Sequence, residues 1–356
     1  MRVVVTGASG NIGTSVLAAL ERDARVEEVV ALARRRPSAQ LRLHKVRWAA
    51  LDVARDDLDG AFAGASALIH LAWAMNPSRD RRILRQVNVG GSERAVAAAR
   101  RAGARTIVHA SSIGAYAEGP KDRLVDESWP TTGISGFSYS EDKVAVERHL
   151  DAVEAEAPEL RVVRMRPALV LKRGAAQHIR RELFGAWVPN RLLRPGRSPI
   201  YLQHPRLRTQ VTHSDDAAEA FRLALHADVR GAFNLAADPV VDGRSLAARF
   251  GGRTLALPTV RPIPLLHRAA HAARIVPAEP GWSDELLLSP LVDSGRARRE
   301  LGWTPAMDAL DAWLDLMQGV RDGAGVPTPP LDAAAGGPLR LREWRGSAGA
   351  RGPLSS

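Results

Sequence analysis

The sequence predicts an α/β protein with a doubly wound parallel sheet and a smaller, discontinuous substrate lobe in its C-terminal half. Three observations predict this fold. A buried-strand pattern at Val3–Val5 runs directly into a glycine-rich turn, and helical spacing follows over Ile12–Leu20. Short apolar runs then alternate with longer amphipathic runs through the first half, as expected of strand–helix–strand units on one parallel sheet.

The predicted strands of the first half lie near residues 2–6, 28–33, 46–50, 67–71, 105–110 and 161–166. They divide the chain into a dinucleotide-binding domain and a substrate lobe, each built from separate segments. The dinucleotide-binding domain takes residues 1–167, with returns near 206–250 and 293–318, and the substrate lobe takes residues 168–205 and 251–292. The tail at 323–356 is rich in Gly, Pro, Ala and Ser without periodicity, so we expect it to be disordered.

Composition narrows the class of protein. The 356 residues contain no cysteine, which excludes disulfides and thiolate chemistry. No apolar run is long enough to span a membrane, and Met1-Arg2 passes straight into a strand, so we expect a cytoplasmic protein without a membrane partner. The net charge of +11 comes from scattered arginines, and only four of the 50 basic residues are lysines. We therefore expect no specific nucleic-acid partner.

The glycine-rich turn predicts a dinucleotide site. Gly7 allows the tight turn, Gly10 lets backbone N–H groups approach a diphosphate, and Gly13 lets the helix pack on the strand. Asn11 and Ile12 begin the helix, whose N-terminus faces the anion. The strand–turn–helix context makes this prediction far more specific than the glycine spacing alone.

The end of the second predicted strand bears on the choice of cofactor. NAD-binding proteins usually place an acid there to hold the ribose 2′-hydroxyl, whereas this chain has Ala33 followed by Arg34, Arg35 and Arg36. Arginine can pair with a 2′-phosphate through two hydrogen bonds. The sequence therefore favours NADP, with NAD as the alternative, although such arginine runs also arise by chance in an arginine-rich chain.

Three side chains form a candidate catalytic set. Tyr139 and Lys143 are four residues apart in a predicted helix, so they share one face, and the ammonium should lower the pKa of the phenol. Ser112 follows a predicted strand at the edge where open α/β sheets bind ligands. Its hydroxyl could hold a substrate oxygen, although a serine in this position is more often a turn residue or cap.

With these motifs in place, the sequence from residue 1 to about 318 resembles the extended short-chain dehydrogenase/reductases of the NAD-dependent epimerase/dehydratase family, whose dinucleotide domain is a Rossmann fold. Further motifs add to the likeness: Leu51-Asp52-Val53, His70-Leu71-Ala72-Trp73, Asn88-Val89-Gly90-Gly91, Arg166-Pro167, Thr212 to Asp216 and Asp293 to Pro305.

The resemblance implies roles for particular residues. Tyr139 would be the general acid–base group, Lys143 would tune it and hold the nicotinamide ribose, and Ser112 would bind the substrate oxygen. Asp52 would contact the adenine. Further cofactor contacts would come from Val53, Leu71, Ala72 and Pro167. Trp73 and Tyr116, which follow strand ends, are candidates for lining the substrate pocket, with core packing an equal alternative.

The reaction is less determined than the fold. The preferred hypothesis is NADP(H)-linked reduction or oxidation of a small carbonyl or alcohol, and the alternative is NAD-dependent epimerisation of a nucleotide sugar. Dehydratases of the family usually carry an Asp-Glu pair after the active-site hydroxyl, and Ile113-Gly114 stands there instead. A non-catalytic dinucleotide sensor is a third hypothesis, which the intact Ser-Tyr-Lys set disfavours. Family members often form homodimers, so the resemblance leaves a homodimer open.

Overall fold

The computed structural model describes residues 1–37, 43–75, 80–183, 200–276 and 278–336. Its strands are β1 (Arg2–Thr6), β2 (Glu28–Ala33), β3 (Val46–Ala50), β4 (Ala67–His70), β5 (Thr106–Ala110), β6 (Leu124–Val125), β7 (Arg161–Pro167), β8 (Leu169–Leu171), β9 (Ile200–Gln203), β10 (Arg208–His213), β11 (Gly231–Leu235), β12 (Ala237–Asp242), β13 (Arg253–Ala256) and β14 (Leu291–Val292).

Twelve α-helices connect the strands in the described part of the chain. They are α1 (Asn11–Arg22), α2 (Asp59–Phe62), α3 (Arg81–Arg85), α4 (Gly91–Arg101), α5 (Ser138–Glu156), α6 (Ala176–Leu183), α7 (Ser214–His226), α8 (Gly243–Phe250), α9 (Pro262–Ala272), α10 (Gly281–Leu288), α11 (Gly295–Leu301) and α12 (Ala309–Asp322).

The central sheet has seven strands in the order β11-β7-β5-β4-β1-β2-β3, and every neighbouring pair is parallel. The chain starts in the middle at β1, moves outward to β3 and then crosses to β4. This reversal leaves a crevice beyond the carboxyl ends of β1 and β4, where doubly wound sheets bind ligands. The predicted fold class is confirmed.

Two apolar cores cover the two faces of the sheet. On one face α1 and α7 pack over β1, with Leu17, Leu20 and Phe221 fully buried. The other face buries Phe62 and Leu150 beneath α2, α4 and α5. Strands enclosed on both sides must be apolar throughout, which is why short continuous apolar runs predicted them.

The second lobe is built around a three-stranded sheet, β12-β10-β8, with the two-stranded pairs β13-β9 and β14-β6 nearby. This corrects the predicted return of residues 206–250 to the main domain. Within that range β11 joins the central sheet and α7 packs on it, whereas β10 and β12 pair with each other in the small sheet. Residues 184–199 of the predicted lobe lie outside the described residues.

The predicted disorder of residues 323–356 is wrong for residues 323–336. Thr328 and Leu331 are fully buried, and the Thr328 hydroxyl donates a hydrogen bond of 2.8 Å to the carbonyl of Ser9 in the glycine turn. Arg181 also donates to the carbonyl of Pro330 at 2.9 Å. Hydrogen bonds hold the irregular backbone of residues 323–336. Such bonds need no repeating apolar pattern, so the sequence does not reveal them. Residues 337–356 lie outside the described residues.

Across the described ranges, none of the helices is both long and apolar enough to cross a lipid bilayer.

Candidate active site

The glycine turn between β1 and α1 requires glycine for steric reasons. Gly7 has a φ of +66°, and a Cβ there would lie 2.6 Å from the backbone nitrogen of Ala72. A Cβ on Gly13 would lie 2.4 Å from the Gly7 carbonyl oxygen. The turn is thus wedged between the end of β4 and the start of α1, and it brings Leu71 and Ala72 against the predicted dinucleotide site.

The N-terminus of α1 is free to receive an anion. Gly10 is the N-cap residue and provides no side-chain hydrogen bond, so the first-turn N–H groups at Asn11 and Ile12 have no side-chain cap. This fits the diphosphate of a dinucleotide. The buried Lys172, which sequence reasoning missed, donates to the Asn11 carbonyl at 2.8 Å and to Thr14 Oγ1 at 2.6 Å. Its ammonium adds positive charge beside this helix end.

The edge of the crevice beyond β2 and β3 carries the residues predicted to select the cofactor. Ala33 is buried at the end of β2, while Arg34 and Arg35 are exposed beyond it. The Asp52 carboxylate accepts a hydrogen bond of 2.9 Å from the Ala54 N–H, and Val53 is buried beneath Gly91. Pro167 ends β7 on the opposite side of the crevice.

Ser112 stands where β5 ends and is both a cap and a site residue. Its hydroxyl accepts a hydrogen bond of 3.0 Å from the Gly114 N–H, which begins a short 3₁₀ turn at Ile113–Ala115. The same hydroxyl and the ring of Tyr139 border one point above Gly114, and the hydroxyl acts to lower the pKa of the phenol. Capping the turn is therefore compatible with a role for Ser112 in the candidate site.

Tyr139 and Lys143 occupy one face of the first turns of α5, as their spacing predicted. Lys143 is 3% exposed and donates a hydrogen bond of 2.6 Å to the Ala110 carbonyl at the end of β5. Its Nζ lies 3.5 Å from the ring centroid of Trp73 and 5.6 Å from that of Tyr139. Burial lowers the pKa of Lys143 to about 7.

The expected lowering of the Tyr139 pKa is wrong for the protein without cofactor. Burial raises the pKa of Tyr139 well above its ordinary value, and the nearby carboxylate of Glu285 raises it further. The Ser112 hydroxyl acts to lower the pKa but does not reverse the shift. The phenol therefore stays protonated through the neutral range.

Glu285, on α10 of the second lobe, is a site residue that sequence reasoning missed. A Cβ added to Gly114 would lie 2.7 Å from Glu285 Oε1, 3.0 Å from Tyr139 Cε1 and 3.4 Å from Ser112 Oγ. The three side chains therefore surround one small space. Burial raises the pKa of Glu285 to about 7. No local pattern in α10 marks this glutamate, because only tertiary packing brings it to Tyr139.

The two aromatic candidates for the substrate pocket, Trp73 and Tyr116, have different surroundings in the structure. Trp73 packs edge-on against Tyr139, with ring centroids 5.9 Å apart, beside the candidate catalytic set. Tyr116 is fully buried, which favours the core-packing alternative for this residue. Its hydroxyl donates to Asn234 Oδ1 at 2.7 Å and accepts from Arg166 at 2.9 Å. Tyr116 is thus a core residue.

The histidines near the crevice have structural partners. His70 hydrogen-bonds Thr6 Oγ1 at 2.7 Å and Ser92 Oγ at 2.8 Å, which fixes its ring in the core. His213 caps α7 by accepting a hydrogen bond from the Asp215 N–H. Throughout the part of the chain that the structure describes, no three His, Asp or Glu side chains are grouped to hold a metal.

Several known proteins are similar to this chain. The model of the NAD dependent epimerase/dehydratase family matches residues 3–236. Sterol demethylase protein B of Methylococcus capsulatus is 34% identical over 175 residues, which are 48% of this chain and 52% of that protein. The chain thus matches about half the length of this relative. UDP-glucose 4-epimerase 3 of Oryza sativa subsp. japonica is 26% identical, with 85% of each chain covered.

Solved structures show the same fold. MoeE5 in complex with UDP-glucuronic acid and NAD is 21% identical and superimposes with a TM-score of 0.66, covering 90% of this chain and 99% of that chain. A short-chain dehydrogenase/reductase superfamily protein from Agrobacterium tumefaciens with bound NAD is 22% identical, with a TM-score of 0.65 and coverage of 90% and 98%.

Proposed function

The chain belongs to the NAD-dependent epimerase/dehydratase family, and from this premise we propose that it transfers hydride between NADP(H) and the carbonyl or carbinol carbon of a small molecule. One observation carries the proposal: Ser112 and Tyr139 meet around Gly114, beside the buried Lys143. A phenol, a hydroxyl and an ammonium placed together suit acid–base chemistry on a substrate oxygen.

In reduction, the substrate carbonyl oxygen accepts hydrogen bonds from Ser112 and Tyr139. Tyr139 donates its proton to that oxygen as the carbon becomes a carbinol, and its raised pKa keeps the phenol protonated for this step. In oxidation, the carbinol proton returns to the phenolate. Lys143 is held in place by the Ala110 carbonyl and stabilises the phenolate electrostatically.

Residues around the crevice would hold the cofactor. The α1 N-terminus would bind its diphosphate, Asp52 and Val53 would contact the adenine, and Lys143 would hold the nicotinamide ribose. Leu71, Ala72 and Pro167 would contact the cofactor from the ends of neighbouring strands. Bound NADP(H) supplies or accepts the hydride at C4 of its nicotinamide. Support for NADP comes from Ala33 in place of an acid and from the exposed arginines Arg34 and Arg35.

Epimerisation of a nucleotide sugar is the second candidate, because UDP-glucose 4-epimerase 3 matches 85% of the chain. The two reactions use the same oxidation step. They differ in whether the reduced cofactor leaves the enzyme or returns its hydride to the same substrate. Incubation with UDP-glucose and analysis for an isomer, with no net change in cofactor absorbance, would favour epimerisation.

The central experiment replaces Tyr139 with phenylalanine, which removes only the phenolic oxygen. With NADPH and a panel of ketones and aldehydes, we expect Tyr139→Phe to lower kcat about 10²–10⁴-fold, the usual contribution of general acid–base catalysis. Cofactor affinity should change little. Tyr201→Phe, at a tyrosine on β9, is the matched control and should keep wild-type turnover. Full turnover by Tyr139→Phe would contradict the proposal, and a dinucleotide sensor would turn over no carbonyl or sugar.

A further inference from the structure

Glu285 presents an unused hydrogen-bond acceptor to the candidate active site. Its Oε2 is buried and has no hydrogen-bond partner among the residues that the structure describes. Leaving a buried carboxyl oxygen unpaired costs free energy, so most native proteins pair such atoms. An unpaired acceptor that persists beside Ser112 and Tyr139 indicates that a bound molecule completes the pairing.

The surrounding charges select the kind of donor. The half-buried Lys121 and the buried Lys143 already attract the Glu285 carboxylate. Lys121 Nζ donates to the Arg208 carbonyl at 3.0 Å, which keeps it on the side of the second lobe. A third cation between these lysines would be repelled, so a neutral donor such as a hydroxyl fits better than an ammonium.

The distances limit where that hydroxyl lies on the substrate. Glu285 Oε1, Tyr139 Cε1 and Ser112 Oγ all lie within 3.4 Å of one point above Gly114. A substrate oxygen bound by Ser112 and Tyr139 is therefore separated from Glu285 by only a small group. A hydroxyl on the carbon next to the reacting carbon is within reach.

We propose that Glu285 is a substrate-specificity residue that accepts a hydrogen bond from a hydroxyl on the carbon adjacent to the reacting carbon. The substrate class is then an α-hydroxy carbonyl compound in the oxidised form and a vicinal diol in the reduced form. This inference rests on the proposed hydride transfer and names the substrate class of the same site. A Cβ at Gly114 would displace the Glu285 carboxyl, with Oε1 2.7 Å away.

The test compares two ketones that differ only in the adjacent hydroxyl, 3-hydroxy-2-butanone and 2-butanone, reduced with NADPH. We expect the wild-type kcat/KM to be about tenfold or more higher for the hydroxy ketone, because a hydrogen bond to a charged group contributes about this much. Glu285→Met, which keeps side-chain volume but loses both acceptors, should bring the ratio near 1 by slowing the hydroxy ketone alone. Asp284 lies beside Glu285 on α10 and pairs with Arg268 of α9, so Asp284→Asn should keep the wild-type ratio.

A second measurement does not depend on turnover. Saturation-transfer NMR with the oxidised cofactor complex should detect 2,3-butanediol more strongly than 2-butanol, and Glu285→Met should abolish the difference. If Glu285→Met fails to fold by circular dichroism, Glu285→Gln takes its place, with a reduced rather than abolished preference. The inference would be overturned if the wild type bound the two members of each ligand pair equally, or if the preference kept its full wild-type size in the Glu285 variants.

The outcomes also separate the two proposals. Loss of ketone reduction in Tyr139→Phe together with an unchanged ketone ratio in Glu285→Met would leave hydride transfer standing and remove the specificity role. A diol preference by NMR that depends on Glu285, in a protein that reduces no ketone, would support the subsite and contradict carbonyl reduction as the activity.

Discussion

The imidazole rings of His70 and His109 stack on the neighbouring strands β4 and β5, with ring centroids 5.4 Å apart. Burial lowers the pKa of His70 to about 3 and the pKa of His109 well below its ordinary value, and the nearby Lys143 acts in the same direction. His70 has hydrogen-bond partners, whereas His109 Nε2 has none among the described residues. Both rings are therefore neutral in the folded protein.

This pair makes stability depend on pH. Below an unfolded histidine pKa of about 6.5, the unfolded chain binds protons that the folded chain does not, so the free energy of unfolding falls as pH falls. We expect His109→Phe to be more stable than the wild type by about 2 kcal/mol at about pH 5 and nearly equal to it at neutral pH. Urea unfolding at both pH values measures this. His44→Phe, at an exposed histidine, should show no such pH-dependent gain.

Gly13 should not tolerate alanine. A Cβ there would lie 2.4 Å from the Gly7 carbonyl oxygen and 2.7 Å from backbone atoms of Ala8, which cannot move without shifting the turn. We expect Gly13→Ala to weaken NADPH binding at least about tenfold, because α1 would no longer aim at the diphosphate. Gly60→Ala, where a Cβ meets nothing within 4 Å, is the control. Wild-type affinity of Gly13→Ala, measured by NADPH fluorescence, would contradict the steric argument.

The preference for NADP is tested at the end of β2. If Arg34 and Arg35 pair with the 2′-phosphate, replacing both with serine should lower NADPH affinity about tenfold or more and leave NADH affinity unchanged. Fluorescence titration with each cofactor gives the ratio. Arg253→Ser, at an exposed arginine on β13, corrects for the loss of positive charge. Parallel loss of both affinities, or of neither, would show that the pair does not read the phosphate.

Single substitutions in the buried ion pair between Arg166 and Glu147 should destabilise the protein. Arg166 Nε donates a hydrogen bond of 2.8 Å to Glu147 Oε1, and the two side chains are 6% and 5% exposed. Arg166→Met leaves the buried Glu147 carboxylate without its counter-ion and with Ser111 as a remaining hydrogen-bond donor, so we expect a loss of about 3–5 kcal/mol. The double variant with Glu147→Leu should recover much of that loss. Arg100→Met, in the exposed pair with Glu156, should cost at most about 1 kcal/mol. Urea unfolding distinguishes these cases.

The sequence predicted what short-range patterns determine. Val3–Val5 and the strands β2, β4 and β5 are buried on both faces, so their apolar runs predict strands without knowledge of their neighbours. The spacing of Tyr139 and Lys143 placed both on one helical face for the same reason. The 3₁₀ turn at Ser112 and the glycine turn likewise depend on adjacent residues.

Properties set by distant packing were not predictable. Tyr116 follows a strand end like Trp73, yet Arg166 and Asn234 from β7 and β11 enclose its hydroxyl. The pKa of Tyr139 depends on Glu285, which belongs to another lobe. Residues 323–336 lack periodicity because they are held by hydrogen bonds to Ser9 and Arg181 rather than by an apolar face.

The hydrogen bond between Thr328 and Ser9 joins residues 319 positions apart. During synthesis, the glycine turn precedes Thr328 by nearly all of both lobes. The turn therefore stays without this covering contact until Thr328 has been synthesised, and contacts between residues so far apart in sequence form slowly in general. A nascent chain stalled before residue 328 would expose the turn even with its sheet complete.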